Sequence, residues 1–271
     1  MRMAGQVALI TGGARGQGRA HAVRFAQEGC AVVLFDHPGP VATCDYPLSG
    51  RDELDETVAL IEAADGQAIA IEGDVRSRAD LDAAVEACVS RYGPPTAVLA
   101  NAGIAPAGHR NFSAEQAWQD RIDIMLTGVY HTVEAAADVM IAAGGGGSIV
   151  ITSSTAGLKG FTRSRAASSP SFLAYVAAKH GVVGLMREYA NMLAPHSIRV
   201  NTVHPTGCNT PMLDPRSFAD FTADHPEMRN ALPVSLVEPT DIAEAMLYLC
   251  ADSGRYVTGI ALPVDAGLGV L

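Results

Sequence analysis

The sequence predicts an α/β fold with a doubly wound parallel sheet of about seven strands and helices on both faces. Short apolar runs alternate along the chain with longer segments of helical periodicity, and the first run ends in a glycine-rich turn. The 271 residues are 48% apolar, which is enough to bury a large core. Because no linker-like stretch or internal repeat interrupts the pattern, we expect one domain over residues 1–271.

Charge and composition argue against several classes of partner. The formal net charge is −10 and basic residues form no run, so nucleic acid and anionic membranes are not expected partners. No apolar stretch reaches the ~20 residues of a membrane-spanning helix. The five cysteines are scattered, without CxxC, HExxH or paired Cys/His spacing. We therefore expect a reduced cytoplasmic protein without a structural metal. For Cys208 a packing role is favoured over the alternative of a reactive thiol.

The first strand, turn and helix are typical of a dinucleotide site. The apolar run 7–11 leads into TGGARGQG, and a helical pattern continues to Gly29. Glycines in the turn allow backbone amides to approach a pyrophosphate, and the helix N-terminus adds further donors. An ordinary glycine-rich turn is the alternative. The turn residues that we expect at the cofactor are Gly12, Arg15, Gly16, Gln17 and Gly18.

The second strand, 31–35, ends at a residue that indicates which dinucleotide is bound. Asp36 lies about twenty positions beyond the glycine turn, where its carboxylate can accept hydrogen bonds from the adenosine ribose. The same charge repels a 2′-phosphate and favours NAD over NADP. Arg15 is a counter-signal, because a basic residue in the turn could meet that phosphate. We give Asp36 more weight, since Arg15 can swing into solvent.

The remaining elements follow in βα order. The segment 37–50 has three prolines and no periodicity, which predicts a long ordered loop. Strands are expected at 68–71, 97–100, 148–152, 199–203 and 260–264. Helices are expected at 52–64, at 79–92 and, as one long helix, at 114–143, with two or three short ones between 213 and 252. Asp74 follows the third strand and either reaches the adenine amino group or serves as an N-cap or turn residue before 79–92.

The segment 170–184, PSFLAYVAAKHGVVG, predicts a helix that is entered through Pro170. Tyr175 and Lys179 are four residues apart and share a face, which places the hydroxyl and the ammonium side by side. A phenol ordinarily titrates near ~10. We expect the adjacent cation to lower the pKa of Tyr175 and make it a general base. The pair alone is a weak signal, because the same spacing arises by chance in many helices.

In their order and spacing, these motifs resemble those of the short-chain dehydrogenase/reductase family over nearly the full chain. The matching segments are TGGARGQG, Asp36, Asp74-Val75, Asn101-Ala102-Gly103, Ser153-Ser154, YVAAK, Pro205-Thr206-Gly207 and VTGIALPVDAG. The stretches YPLSGRDELDETV and HPTGCNTPM further resemble the mycofactocin-associated subgroup. That subgroup includes carveol-dehydrogenase-like enzymes, in which NAD is held tightly.

The resemblance implies a single-domain Rossmann fold and a role for each matching residue. Ser154 would bind the substrate oxygen, Tyr175 would be the acid/base, and Lys179 would lower its pKa and bind the nicotinamide ribose. The other matching positions are expected at the cofactor, with Thr210 bonding the carboxamide: Asp74, Val75, Asn101, Ala102, Gly103, Pro205, Gly207 and Thr210. The implied reaction is NAD-dependent interconversion of a secondary alcohol and its ketone, with a mycofactocin-type electron acceptor as a possible partner. The long helices would pair in a homodimer or homotetramer.

One residue departs from the family pattern. The family usually has an Asn on the long helix, and its backbone helps to hold a water that relays protons from the lysine. Here the matching stretch is Met125-Leu126-Thr127-Gly128. Met125 cannot supply the amide side chain that shapes the helix kink, so we expect slower proton exchange in an enzyme that still works.

Substrate specificity is expected to reside in a lid at about 208–239. This interval mixes prolines and charges with Met212, Leu213, Phe218, Phe221 and Met228, which favours a terpenoid- or steroid-like alcohol. A purely structural core role is the alternative for these side chains. The loop 158–169, with Lys159, Arg163 and Arg165, either shapes the entrance or is a surface insertion.

Two other functions remain open at this level. An NADP-dependent carbonyl reductase rests on Arg15, and a catalytically idle dinucleotide-binding sensor rests on the missing Asn.

Overall fold

Seven parallel strands form the centre of the molecule. The computed structural model describes residues 1–106, 112–162, 164–165, 168–213 and 228–271. Its strands are β1 (Val7–Thr11), β2 (Ala31–Asp36), β3 (Gln67–Glu72), β4 (Ala97–Ala100), β5 (Gly147–Thr152), β6 (Ile198–Pro205) and β7 (Ala261–Val264). They lie in the order β3-β2-β1-β4-β5-β6-β7, and every neighbouring pair is parallel. The predicted doubly wound Rossmann fold is confirmed.

Helices cover both faces of this sheet. They are α1 (Gly16–Gln27), α2 (Arg51–Glu62), α3 (Arg78–Tyr92), α4 (Ala114–Ile122), α5 (Gly128–Ala143), α6 (Pro170–Leu193) and α7 (Pro239–Cys250). Successive side chains of a strand point to opposite faces, so Leu9 joins the core under α3, α5 and α6, while Ile10 joins the core under α1 and α7. The strands are apolar on both faces for this reason.

The long helix predicted at 114–143 is interrupted. A π-helical turn, Asp123–Thr127, separates α4 from α5. Other boundaries follow the expected signals: the Ser169 hydroxyl caps α6 by accepting from the amide of Phe172, and Pro170 occupies the first turn. Residues 37–50 form no helix or strand, as predicted. Between 213 and 252, α7 is the α-helix within the described residues, and 214–227 lie outside them.

The sheet order places a crevice at the carboxyl ends of β1 and β4. The chain builds β1, β2 and β3 in one direction and then returns to place β4 on the other side of β1. Helices therefore leave these two strands toward opposite faces, and the loops that follow them diverge. Ligands of open α/β sheets bind at such a switch point. Within the described part of the chain, no helix has the length and apolarity needed to cross a membrane.

Candidate active site

A cavity opens at this crevice, and most of the predicted cofactor residues line it. The lining includes Gly12, Arg15, Gly16, Gln17, Gly18, Asp36, Asp74, Val75, Asn101, Ala102, Gly103, Tyr175, Lys179 and Thr210. Pro205, the last residue of β6, and Gly207 are not part of the lining. Ser154 is also outside the lining, but its hydroxyl is close enough to Tyr175 to lower the pKa of the phenol. The structure thus brings together the predicted residues from the glycine turn, four strand ends and α6.

The glycine turn has a backbone that side chains would not tolerate. Gly12 has φ +70° and Gly16 has φ +56°, values that L-residues rarely adopt. A Cβ placed on Gly12 would lie 2.9 Å from the Ala102 Cα, and one on Gly18 would lie 1.9 Å from the Gly12 carbonyl oxygen. The first turn of α1 is therefore pressed against the end of β1. Close beside it, the buried Oε1 of Gln17 has no hydrogen-bond partner among the residues that the structure describes.

Asp36 is held at the end of β2 by two backbone amides. Its carboxylate accepts from Ala14 N at 2.9 Å and from His37 N at 2.8 Å. Burial raises the pKa of this carboxyl, and the two amides oppose that rise. Arg15, the counter-signal for NADP, donates to the Pro47 carbonyl and lies 3.5 Å from the Glu53 carboxylate. Its guanidinium is therefore already engaged with the loop 37–50 and with α2.

Asp74 lies in the cavity wall as part of an ion pair. Arg76 donates from its Nε to Asp74 Oδ2 at 2.9 Å. Burial favours the neutral carboxyl, but the hydrogen bonds from Arg76 outweigh it and hold the pKa of Asp74 below its usual value. The N-cap of α3 is Ser77, whose hydroxyl accepts from the Asp80 amide. Asp74 is therefore not the cap; it belongs to the turn before α3, where its carbonyl accepts from Ser77 N.

Asn101 joins the ends of three strands beneath the cavity. Its Nδ2 donates to the Thr11 carbonyl at 3.1 Å, and its Oδ1 accepts from Thr152 Oγ1 at 3.0 Å. Thr11 ends β1 and Thr152 ends β5, so the amide side chain bridges both neighbours of β4. This hydrogen-bond network fixes the floor of the cavity. Ala102 and Gly103, the next two residues of the chain, continue the floor.

Tyr175 and Lys179 lie on one face of α6, as the spacing predicts. Lys179 is 5% exposed, its Nζ donates to the Thr152 carbonyl at 2.8 Å, and it lies 5.8 Å from the Tyr175 ring centroid. Burial lowers the pKa of Lys179 to about 8. Burial also raises the pKa of Tyr175, and a hydrogen bond with Ser154 opposes that rise. The expected lowering of the tyrosine pKa is therefore wrong for the protein alone, because the cost of burying a phenolate dominates.

The two serines after β5 have different partners. Ser153 Oγ donates to the Lys179 carbonyl at 2.9 Å and so supports α6. Ser154 Oγ accepts from Ala156 N at 3.1 Å, while its carbonyl accepts from His204 Nδ1 at 2.7 Å. Burial lowers the pKa of His204 to about 4, so the imidazole is neutral near pH 7. His204, which sequence reasoning missed, holds the backbone from which Ser154 reaches Tyr175.

Met125 lies in the π-helical turn and points into the site. It is fully buried, and a Cβ placed on Gly103 would lie 3.6 Å from Met125 Cγ and 3.8 Å from Lys179 Nζ. The three residues therefore meet at one end of the cavity. The helix irregularity forms here without an amide side chain, and the slower proton exchange expected from Met125 stays a prediction.

The loop 37–50 supplies a wall that the sequence did not reveal. Val41, Tyr46, Leu48 and Ser49 line the cavity. The loop is fastened by Arg121 of α4, which is fully buried and donates to the Thr43 hydroxyl at 2.5 Å and to the Thr43 carbonyl at 3.0 Å. The residues next to Arg121 in the sequence do not distinguish a buried arginine from one exposed on the helix surface, so no pattern in the sequence indicated this contact.

The segment 268–271, the loop after β5 and the start of α6 meet in an apolar cluster beside the phenol. Ala156, Phe161 and Leu268 are buried there, and Phe172, Tyr175, Val176 and Met228 are partly buried against them. We call these seven residues the Tyr175 cluster.

Part of the predicted lid lies outside the described residues, including Phe218 and Phe221, as does Arg163 of the loop after β5. Within the described part, Met212 lines the cavity. Cys208 is buried and burial raises its pKa to about 12, which agrees with a packing role. The described residues contain no group of three or more His, Cys, Asp or Glu side chains that could hold a metal ion.

Comparison with known proteins gives the family. A family model described as enoyl-(acyl carrier protein) reductase matches residues 12–269. A (−)-trans-carveol dehydrogenase of Rhodococcus erythropolis is 46% identical over 279 residues, and the match covers 98% of each chain. The chain belongs to the short-chain dehydrogenase/reductase family. It is a carveol-dehydrogenase-like member of that family, and it is an oxidoreductase.

Two solved structures of short-chain dehydrogenases resemble the fold over its full length. Carveol dehydrogenase from Mycobacterium avium, in complex with NAD, has a TM-score of 0.90 and 42% identity, covering 100% of this chain and 99% of the other. A short-chain dehydrogenase from Mycobacterium paratuberculosis, bound to NAD, has a TM-score of 0.89 and 38% identity, covering 100% of each chain. The predicted family and fold are therefore confirmed.

Proposed function

We propose that this short-chain dehydrogenase uses NAD to interconvert a hydrophobic secondary alcohol and its ketone. One observation carries the proposal: Tyr175 and Lys179 lie on one face of α6 and line a cavity that Asp36 also lines, and the Ser154 hydroxyl is close enough to lower the pKa of Tyr175. This arrangement joins a proton-transfer group, an oxygen-binding hydroxyl and a dinucleotide site.

NAD is the cofactor, as it is in the two solved relatives. The glycine turn, the carboxylate of Asp36 and the unpartnered Oε1 of Gln17 fit a dinucleotide, because they offer a close backbone approach and polar atoms at the crevice. Asp36 would hold the adenosine ribose, Lys179 the nicotinamide ribose and Thr210 the carboxamide. NAD supplies the hydride acceptor for oxidation and, when reduced, the donor for reduction.

The residues of the protein handle the proton. Tyr175 would take the hydroxyl proton during alcohol oxidation and return it to the carbonyl oxygen during reduction. The Ser154 hydroxyl would donate to the same oxygen as charge develops on it. Burial raises the pKa of Tyr175 and lowers that of Lys179, so within this pair Lys179 loses its proton at the lower pH. Oxidation requires this pair to have lost a proton, so kcat/KM should rise with pH for oxidation and fall with pH for reduction.

The Tyr175 cluster supports a hydrophobic substrate. Its partly buried members place hydrocarbon side chains beside the proton-transfer group, where the body of a terpenoid- or steroid-like alcohol could pack. The chain's similarity to carveol dehydrogenases makes carveol the first alcohol to try. The lid at about 208–239 remains part of this proposal.

We propose that the protein retains NAD tightly between turnovers. A mycofactocin-type electron acceptor would then reoxidise the bound cofactor. The loop 37–50 supplies part of the cavity wall and is fixed by a buried arginine, which supports slow cofactor release. The protein should be purified without added nucleotide and denatured, and any released nucleotide identified. Stoichiometric NAD would support this route. An empty protein that turns over with free NAD would contradict it, and an empty protein that binds only NADP would overturn the role of Asp36.

The reaction itself is tested with Tyr175→Phe. This change should lower kcat for carveol oxidation by about 10²–10⁴-fold, because it removes the proton acceptor. NAD content should be unchanged. The matched control is Tyr189→Phe. Tyr189 also lies on α6, and its hydroxyl donates to Glu134 Oε1 at 2.7 Å. Equal activity in the wild type and Tyr175→Phe would contradict the mechanism.

A further inference from the structure

The chain uses lysine at only two positions. Of its nineteen Lys and Arg residues, Lys159 and Lys179 are the lysines. Lys179 belongs to the site described above. Lys159 lies in the loop after β5 and contacts Phe161 and Leu268 of the Tyr175 cluster.

Lys159 joins two parts of this cluster that are distant in sequence. Its Nζ donates to the Leu268 carbonyl at 2.9 Å and to the Leu271 backbone oxygen at 3.1 Å. The same Nζ lies 5.3 Å from the centroid of the Phe161 ring. A single ammonium therefore holds the turn 268–271 against the loop that carries Phe161.

The turn 268–271 is built to present one side chain inward. The Asp265 carboxylate accepts from Gly267 N at 3.0 Å and from Gly269 N at 2.7 Å, and Leu268–Val270 forms a 3₁₀ turn. Leu268 is 3% exposed, whereas Val270 is 86% exposed. Leu268 is therefore the residue by which this turn contacts the cluster.

The open side of the cluster lies next to the phenol. Phe172 stacks with Tyr175 at a centroid distance of 6.4 Å, and both rings are partly buried, as are Val176 and Met228. Leu268 and Phe161 are the large buried residues of the same cluster. Because cores are close-packed, we expect the volume of these two residues to limit how deeply an apolar molecule can sit beside Tyr175.

We propose that the turn 268–271, held by Lys159, is a specificity element that receives the hydrocarbon body of the alcohol. This inference rests on the proposed function. Leu268 forms the inner wall, and Lys159 is a positioning residue that acts through Leu268 and Phe161. Without the hydrogen bonds of Lys159, the turn 268–271 would no longer hold Leu268 in place. A bulky alcohol would then lose its packing against Leu268, whereas a small alcohol does not reach this residue.

The test compares carveol with propan-2-ol as substrates of the NAD-loaded protein. Lys159→Met keeps most of the length of the side chain but removes the donor, and it should lower the carveol:propan-2-ol ratio of kcat/KM about tenfold, mainly through KM for carveol. Lys159→Arg should restore the ratio in part, because it retains a cationic donor. Leu268→Ala should also change the ratio, because it removes the wall itself.

Arg255→Met is the matched control. Arg255 lies 4.9 Å from the Tyr256 ring centroid and donates to the Asp252 carbonyl, so it repeats the chemistry of Lys159 on an exposed surface. This variant should leave the ratio unchanged. The inference is overturned if Lys159→Met and Leu268→Ala change both substrates by the same factor or leave both unchanged.

A binding measurement separates this inference from the proposed function. Calorimetry should show carvone binding to the NAD-loaded wild type more tightly than to Lys159→Met by a similar factor. If carvone binds in this way but no alcohol is oxidised, the proposed reaction fails and the specificity element stands. If turnover proceeds and carvone binds both proteins equally, the specificity element fails alone.

Discussion

Lys179 shows how one residue can carry function at a cost to stability. The folded protein buries an ammonium whose visible protein partner is the carbonyl of Thr152, and burial brings its pKa down to about 8. A group with such a pKa exchanges protons readily near neutral pH, whereas an exposed lysine does not. The lowered pKa of Lys179 therefore fits the proton handling proposed for it.

Because the chain has two lysines, their titration can be observed directly. Labelling with [¹³Cε]lysine should give two resonances, and the Lys179 signal should titrate near pH 8 in nucleotide-free protein. The Lys159→Met variant assigns the signals. A Lys179 signal that titrates near 10.5 would contradict the effect of burial.

Replacing the buried ammonium should stabilise the nucleotide-free protein. A fall in pKa from 10.5 to about 8 corresponds to roughly 3 kcal/mol, of which about 1 kcal/mol is offset by the lost bond to Thr152. Lys179→Met should therefore raise Tm by about 4–8 °C at pH 7 while abolishing activity. The folded-state pKa is lowered, so the cost is fully present below pH 8 and disappears as pH rises toward 10.5. Thermal unfolding at pH 7 and pH 10 checks both points, and an equal gain at both would refute them.

The π-helical turn is the element that brings a helix side chain to the lysine. An additional residue in one turn rotates the helix locally, and here it directs Met125 toward Gly103 and Lys179. Met125→Asn should speed proton exchange, with a several-fold gain in kcat below pH 8, less than the ~10²-fold effect of a complete acid/base group. It should also lower stability by about 1–3 kcal/mol, because an amide replaces a buried thioether.

Met125→Leu is the apolar control for this change. It conserves volume and adds no polar group, so both kcat and Tm should stay close to wild type. Rates that are unchanged across pH in Met125→Asn would show that the proton relay does not pass this position.

The loop 37–50 is the element that we expect to govern cofactor release. Thr43 ties it to α4, because its hydroxyl accepts from Arg121 and donates to Asp120 Oδ2 at 2.7 Å. Thr43→Val keeps the shape and removes these bonds, which should speed NAD release about fivefold. Stopped-flow dilution into excess competing nucleotide measures the rate. Ala42→Val, at an exposed neighbouring position, is the control. Equal rates of NAD release in the wild type, Thr43→Val and Ala42→Val would contradict the role of Thr43 in holding the loop.

At the scale of the whole molecule, several large apolar side chains on three helices are exposed. Trp118, Tyr130, Leu173 and Met192 are each more than two-fifths exposed, and they lie on α4, α5 and α6. We propose that these helices pair in a homodimer or homotetramer of 28.2 kDa chains. Met192→Glu should shift the mass measured by light scattering toward smaller species. Leu60→Glu, on the exposed side of α2, is the matched control and should leave the mass unchanged.

Sequence reasoning predicted the framework because its signals are local. The apolar strands, the glycine turn and the Tyr175–Lys179 spacing are each read within a few neighbouring residues. Two features depend on packing and were missed. Arg121 meets Thr43 across 78 positions of sequence, and the direction of the Tyr175 pKa depends on burial that no pattern reveals.

The bonds between β5 and α6 have a consequence for how new substrates could be acquired. Lys179 Nζ holds the Thr152 carbonyl while Ser153 holds the Lys179 carbonyl, so helix and strand form a closed ring. The proposed catalytic groups are thereby built into the core, whereas side-chain hydrogen bonds, such as those of Arg121 and Lys159, attach the loop 37–50 and the turn 268–271. Directed evolution could therefore replace the loop 37–50 or the turn 268–271 and leave the proposed proton-transfer groups in place.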